Sequence, residues 1–284
     1  MANAAWLRLT VEAPDALFET IAGVLADTGA IGSEILSSAG QVVGYYPLIA
    51  RESALAAVQR FKEFPELGLP LVGTAVIDQI GADGWERAWK RFFRSRRFGR
   101  IRVQPPWSRL RPGAEEILIV IEPGMAFGTG GHPTTSLCLE LLSAHVRPGM
   151  SVLDLGTGTG ILALAAAKLG AGQVLGVDDD PIAVEIARQN CAQNGVSERV
   201  EVIEGDGWAA VSGQFDLIVC NIITLFHLRT AGRVAEHLAP GGLYIASGIS
   251  GRNWRSVENA LASNGLRLVE RRKRRTWTAG VFSK

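Results

Sequence analysis

Cysteine is scarce in this chain: Cys138, Cys191 and Cys220 are the three among 284 residues. An odd number with no CxxC spacing argues against a disulfide framework and a structural zinc site, and for a reducing compartment. Charge of one sign is missing too. Lys plus Arg total 29 and Asp plus Glu 28, a formal net charge of +1, which calls for neither a nucleic-acid nor a membrane partner. No run of about 18 uncharged apolar residues occurs, so no membrane span is expected. The opening MANAAWLRLTVEAPD lacks the basic patch and apolar run of a signal peptide. The cytoplasm is the expected setting. What the chain does have is 47% hydrophobic residues and 33 glycines with no collagen-like period. That composition supports a sizeable core, and the length suggests two domains at about 150 residues each.

Residues 1–80 read as a small α/β unit. Trp6 to Val11 alternates like a strand, and Pro14 opens a helix with Leu17, Phe18, Ile21 and Leu25 on one face. Ala30 to Leu36 and Gln41 to Leu48 form two strands around the turn Ser37-Ser38-Ala39-Gly40. Ser53 to Phe64 is helical and Leu71 to Ile80 a last strand. The order β-α-β-β-α-β predicts a ferredoxin-like α+β sandwich. RNA-recognition modules share it, and Val43-Gly44-Tyr45-Tyr46 is the stretch to weigh. Two strand tyrosines, one on each face, is the plainer reading.

Residues 81–111 change character. Between Trp85 and Arg100 stand Arg87, Lys90, Arg91, Arg94, Arg96, Arg97 and Arg100 against the acid Glu86, with Trp85, Trp89, Phe92 and Phe93 at helical spacing. This predicts an amphipathic linker helix running into a strand, Arg100 to Val103. The basic face is either simply solvated or a contact for an acidic partner such as rRNA.

Residues 112–284 alternate apolar strands and helices. Ser151 to Leu155, Gln173 to Val177, Val200 to Ile203, Phe215 to Cys220 and Leu243 to Ser247 are the strands. Ile161 to Leu169, Pro181 to Asn194 and Leu225 to Leu238 are the helices, and Arg267 to Glu270 with Trp277 to Phe282 closes the chain. Apolar strands between helices imply a parallel sheet covered on both faces.

The chemistry concentrates at strand ends. Val152-Leu153-Asp154-Leu155-Gly156-Thr157-Gly158-Thr159-Gly160-Ile161 is a strand, a glycine turn and a helix start, where open α/β sheets bind nucleotides. Counted from Gly156, the dinucleotide pattern G-x-G-x-x-G fails at Ile161; from Gly158 it meets Ala163 and fits only the looser form. The D-x-G-x-G-x-G present resembles the first motif of S-adenosylmethionine-dependent methyltransferases. Asp178, ending the second strand, is placed to accept both ribose hydroxyls, with helix capping the alternative. Asp180-Pro181 reads as an N-cap and N1 pair. Asp206, after the third strand, either takes an adenine amino group or serves a turn. Asn221, after the fourth, either receives an incoming amine or caps the next helix. Upstream, Glu122 to Thr135 is rich in Gly and Thr but lacks the Gly-Lys-Ser/Thr of a phosphate loop. His132 within it reads as a loop-ordering residue ahead of a general base. The other histidines, His145, His227 and His237, form no metal-ligand spacing with it.

Taken together, MAFGTG-x-HPTT, VLDLGTGTGIL, GVDDDP and NII resemble the ribosomal protein L-11 methyltransferase family (PrmA). So do Gly84-Trp85 to Trp107 and Ser247-Gly248-Ile249. The resemblance implies a Rossmann-like class I methyltransferase domain with a mostly parallel seven-stranded sheet, behind the ferredoxin-like unit. It implies S-adenosylmethionine held at Thr135, Gly156, Asp178 and Asn221, with Gly158 in the same turn. It further implies an amino-terminal domain that recognises ribosomal protein L-11, free or in the large subunit, and amines as methyl acceptors. Gly131, Thr224 and Trp277-Thr278-Ala279 depart from the family pattern. An rRNA methyltransferase gripping phosphates with Arg91 to Arg100 and Arg271 to Arg275, or a non-catalytic assembly factor, are the competing readings.

Overall fold

The computed structural model describes residues 6–30, 32–65, 72–80, 94–122 and 131–284. Contacts divide the chain into two units, Met1–Phe93 and Arg94–Lys284. The predicted linker helix before Arg94 and the Met125-to-Gly130 loop lie outside the described residues.

In the first unit, β1 (Trp6–Glu12), α1 (Phe18–Asp27), β2 (Gly32–Leu36), β3 (Gln41–Pro47), α2 (Arg51–Lys62) and β4 (Ala75–Ile80) follow the expected sequence. The sheet is antiparallel in the order β2-β3-β1-β4, the ferredoxin-like arrangement. Period-2 alternation decides the faces. Leu7, Leu9 and Val11 of β1 pack with Val42 and Tyr46 of β3 against Ile21, Leu25, Ala57 and Phe61 of the helices. Gly44 lets α1 come close, since a Cβ there would lie 2.8 Å from Leu25 Cδ2. Tyr46 Oη meets Thr28 Oγ1 at 2.9 Å, and burial pushes its phenol up to about 12. Tyr45 lies on the other face with Val43, Trp6, Leu36 and Ile80.

The second unit begins with β5 (Arg96–Phe98), β6 (Ile101–Gln104) and β7 (Ile117–Val120), a three-stranded sheet in that order. Arg96 to Phe98 is thus a strand, where the sequence suggested the end of a helix. Gly99 turns the chain with φ +58°, tight against Ser143, and sends it back as β6. Arg102 holds Glu116 through two bonds of 2.6 and 2.8 Å, which keeps that carboxyl down at about 2.

The main sheet has seven strands. These are β8 (Ser151–Leu155), β9 (Gln173–Asp178), β10 (Val200–Glu204), β11 (Phe215–Asn221), β12 (Leu238–Ser250), β13 (Arg267–Arg274) and β14 (Trp277–Ser283), in the order β10-β9-β8-β11-β12-β14-β13. The first five are parallel and β14 is antiparallel to both its neighbours. The helices are α3 (Pro133–His145), α4 (Ile161–Lys168), α5 (Pro181–Gln193), α6 (Thr224–His237) and α7 (Trp254–Ser263). Apolar strands bury both faces: Val152, Val219 and Ile245 lie in one core, Leu153, Ile218 and Tyr244 in the other. All three cysteines are buried and unpaired, and burial pushes the thiols of Cys138 and Cys191 up to about 12 and 11. No helix of the described residues is long and apolar enough to cross a membrane.

Trp254 seals the antiparallel edge by lying over Gly280 of β14, where a Cβ would meet its ring at 2.4 Å. Its ring centroid is 5.8 Å from that of Phe282. Gly280→Ala should therefore cost about 1–3 kcal/mol by overpacking. Urea unfolding would show it as a lower midpoint, and an unchanged midpoint would mean the ring moves aside freely.

Candidate active site

The strand order reverses at β8, which lies between β9 and β11. In such sheets the crevice outside the carboxyl ends at that point is where ligands bind. The residues singled out in the sequence gather on this rim.

The glycine turn follows β8. Gly156, Gly158 and Gly160 have φ of +74°, +55° and +78°, which side-chain-bearing residues rarely adopt. The N–H groups of Gly156 and Thr157 both donate to Val177 O, at 2.8 and 3.0 Å. Asp178, the last residue of β9, fixes the middle of the turn. Its Oδ2 accepts the Gly158 N–H at 2.8 Å and its Oδ1 the Asp180 N–H at 3.1 Å. Each carboxylate oxygen keeps acceptor capacity for a further donor. Asp178 does not cap α5. Asp180 does, through the Ile182 N–H at 2.8 Å, with Pro181 at N1.

Asp206 is exposed beyond β10, ahead of a 3-10 turn that its side chain does not cap. Its neighbour Gly205 donates to Asp178 O at 2.8 Å, so it shares the rim with Asp178. Thr135 is buried in the first turn of α3. Asn221 ends β11, and its Nδ2 lies 3.5 Å from Thr135 Oγ1. Asn221 Oδ1 is buried with no hydrogen-bond partner among the described residues. It caps nothing, since Ile223 is the N-cap of α6. His132 is the N-cap of α3, its Nδ1 2.7 Å from Thr134 Oγ1 and its ring edge against Trp277. Burial lowers its pKa, which suits a neutral, loop-ordering ring.

Sequence reasoning gave no role to Asp154, although an acid inside an apolar strand was the visible signal. It is fully buried. Its Oδ2 accepts from Thr157 Oγ1 at 2.7 Å and Ala163 N–H at 3.0 Å, and its Oδ1 has no partner among the described residues. Burial, opposed by those two bonds and reinforced by the Asp178 charge, pushes its carboxyl up to about 7.

The donor set tests what could bind. The carboxyl groups of Asp154 and Asp178 flank the turn and are held by backbone and hydroxyl donors, with no Lys or Arg beside them among the described contacts to receive a pyrophosphate. A ribose diol and a cationic group suit them. The glycines put no side chain over the turn, and Ile222 packs against Gly156, where a Cβ would lie 2.8 Å from its Cδ1. S-adenosylmethionine, a nucleoside carrying a sulfonium and an ammonium, fits this chemistry.

A doubly wound sheet of this strand order, with a glycine turn after β8 and an acid ending β9, defines a class I S-adenosylmethionine-dependent methyltransferase. The model of the family described as ribosomal protein L11 methyltransferase (PrmA) matches residues 5–284. The ribosomal protein L11 methyltransferase of Pelotomaculum thermopropionicum is 37% identical over 300 residues, covering 96% of this chain and 97% of that protein. The one from Symbiobacterium thermophilum is 43% identical over 218 residues, 76% of this chain and 71% of that protein. The crystal structure of ribosomal protein L11 methylase from Lactobacillus delbrueckii subsp. bulgaricus aligns with a TM-score of 0.63 at 33% identity, covering 68% of this chain and 99% of that one. The chain belongs to the ribosomal protein L11 methyltransferase family.

Two outcomes are expected. Asp178→Ala should weaken cofactor binding at least about tenfold by calorimetry, since it removes a charge-assisted acceptor pair; undiminished affinity would refute the assignment. Asp154 titrates at 3.8 in its unperturbed form and about 7 when folded. The folded state thus binds the extra proton across that window, and stability contributed below it is lost as pH rises through it. Asp154→Asn should flatten the fall in melting temperature of the cofactor-free protein between those limits. An unchanged slope would place the titration elsewhere.

Proposed function

We propose that this protein transfers methyl groups from S-adenosylmethionine to amino groups of ribosomal protein L11, on lysine side chains and the N-terminal amine. The observation that carries the acceptor is the buried, unpartnered Asn221 Oδ1 on the rim beside the glycine turn. An amide oxygen there accepts from an amine N–H and leaves the nitrogen lone pair free to point at an electrophile.

The bound cofactor supplies a methyl carbon activated by its sulfonium. The chain's own residues bind, orient and exclude water. Asp178 receives ribose hydroxyls, the bare backbone at Gly156 and Gly158 admits the ligand, Thr135 steadies Asn221, and Asp206 offers an acceptor to the base. A lysine amine, with a reference pKa of about 10.4, arrives mostly protonated. A desolvated channel next to a cation disfavours its charged form, so it gives its proton to water before attack. No side chain need act as base: the Nδ1 of His132 is bonded to Thr134.

Selection of the substrate falls to the first unit. One finding favours a protein over an RNA partner. Tyr45 and Tyr46, the residues a base-stacking sheet would present, are 6% and 0% exposed. That substrate, together with this chain's own three buried free thiols, fits a reducing cytoplasm.

Incubation with cofactor and free large-subunit proteins should give intact-mass gains of whole methyl units on L11 alone. Label from tritiated cofactor appearing in rRNA, or cofactor binding with no transfer to any fraction, would overturn the proposal.

A further inference from the structure

Behind Asn221 lies a buried polar group that the transfer itself does not use. His227 of α6 is 1% exposed, and Tyr244 and Ser247 of β12 are 0%. His227 Nε2 lies 2.8 Å from Ser247 O and 3.2 Å from Ile222 O. Both are carbonyls and can only accept, so Nε2 carries the proton. Nδ1, 2.8 Å from Tyr244 Oη, is then the acceptor, and the tyrosine donates. These three contacts of the ring fix one neutral tautomer.

What this ring holds is the part of the sheet that carries Asn221. Asn221 and Ser247 are the last register pair of β11 and β12. Beyond them β12 breaks register with β14 between Ala246 and Ile249. Gly248 takes φ +80°, where a Cβ would collide with Ile222 O. The backbone leaves the ladder here, and a buried donor must replace the lost bonds. His227 supplies it to both strands at once. Ser247 Oγ donates to Thr134 O at 3.3 Å, and Thr135, the next residue, meets Asn221. The loop of contacts Asn221–Thr135, Thr134–Ser247, Ser247–His227 and His227–Ile222 closes on itself.

We propose that His227 is a positioning residue for methyl transfer, its Nε2–H pinning the Ile222 and Ser247 carbonyls so that Asn221 Oδ1 stays aimed at the acceptor amine. The proposal rests on the reading of Asn221 as the amine-holding group. It makes His227 neither a base nor a cofactor contact.

The test compares His227→Phe, which removes the donor, with His227→Gln, which returns an N–H near the Nε2 position, and with Asn221→Ala. Loss of aim alone is expected to cut kcat of His227→Phe by roughly ten- to hundredfold while KM for the substrate protein and cofactor Kd stay within about threefold. His227→Gln should recover most of that kcat. Nitrogen-15 NMR of the unliganded wild-type protein should show His227 as the neutral Nε2–H tautomer. Should His227→Phe fold poorly, Tyr244→Phe replaces it: the ring loses its bond at Nδ1 and keeps the Nε2–H tautomer, and a lowered kcat at unchanged KM is expected; an unlowered kcat would overturn the role of His227. A slow Asn221→Ala beside an unimpaired His227→Phe, or a His227→Gln no better than His227→Phe, would overturn the role of His227 alone. An Nδ1–H tautomer would do the same. An Asn221→Ala as fast as wild type would overturn the reading of Asn221, and the proposal with it.

Discussion

Two backbone N–H groups, those of Gly156 and Thr157, converge on one carbonyl, that of Val177. This junction ties the turn after β8 to the end of β9, and the rim is built outward from it. It sets the turn's height above the sheet and brings the Gly158 N–H onto Asp178. It also seats Gly160 as the N-cap of α4, against Ala187 of α5. A larger residue at these positions would need a rarely populated φ and would push on Ile222, across the crevice, or on Ala187. Binding surface, strand spacing and helix packing are therefore one constraint.

The electrostatics follow from the same geometry. A turn that must lie bare to a ligand cannot carry cationic side chains of its own. The acids around it are held by backbone and hydroxyl donors rather than by Lys or Arg: Thr157 and Ala163 for Asp154, Gly158 and Asp180 for Asp178. Hydrogen bonds stabilise a carboxylate without cancelling its charge. Among the described contacts no Lys or Arg pairs with these acids, which suits a cationic ligand. Asp154 is the most sensitive part of this arrangement, because burial has already moved its carboxyl up to about 7.

Much of this was legible in the residues. The parallel strands stand out as apolar runs because both their faces are covered, and Asp180-Pro181 marks a helix start by chemistry that is local to two residues. Asp178 and Asn221 were singled out because strand ends are where such sheets do their work. Arg96 to Phe98 was misread because a short strand of two exposed arginines and one buried Phe98 looks the same as one helical turn in a basic, aromatic stretch. The helix α7 was passed over: Trp254, Val257 and Leu261 are spaced for one buried face, but a polar stretch on either side hid them. The contacts of His227 had no local signature at all. They join α6 to two strands and depend on a bulge in β12 that only the folded sheet reveals.

The histidines bear on the proposal that transfer needs no base. A protonated imidazole near a sulfonium would place two cations in one crevice, and burial opposes that for both His132 and His227 by lowering their pKa values. A carboxylate beside the amine would favour its ammonium form and so withhold the lone pair from the methyl. An amide oxygen avoids both penalties. It accepts from the amine before and after transfer, carries no net charge, and needs only to be held still. With Asn221 holding the amine as proposed, the demand on the protein is one of aim, which the buried neutral donors around Asn221 would supply.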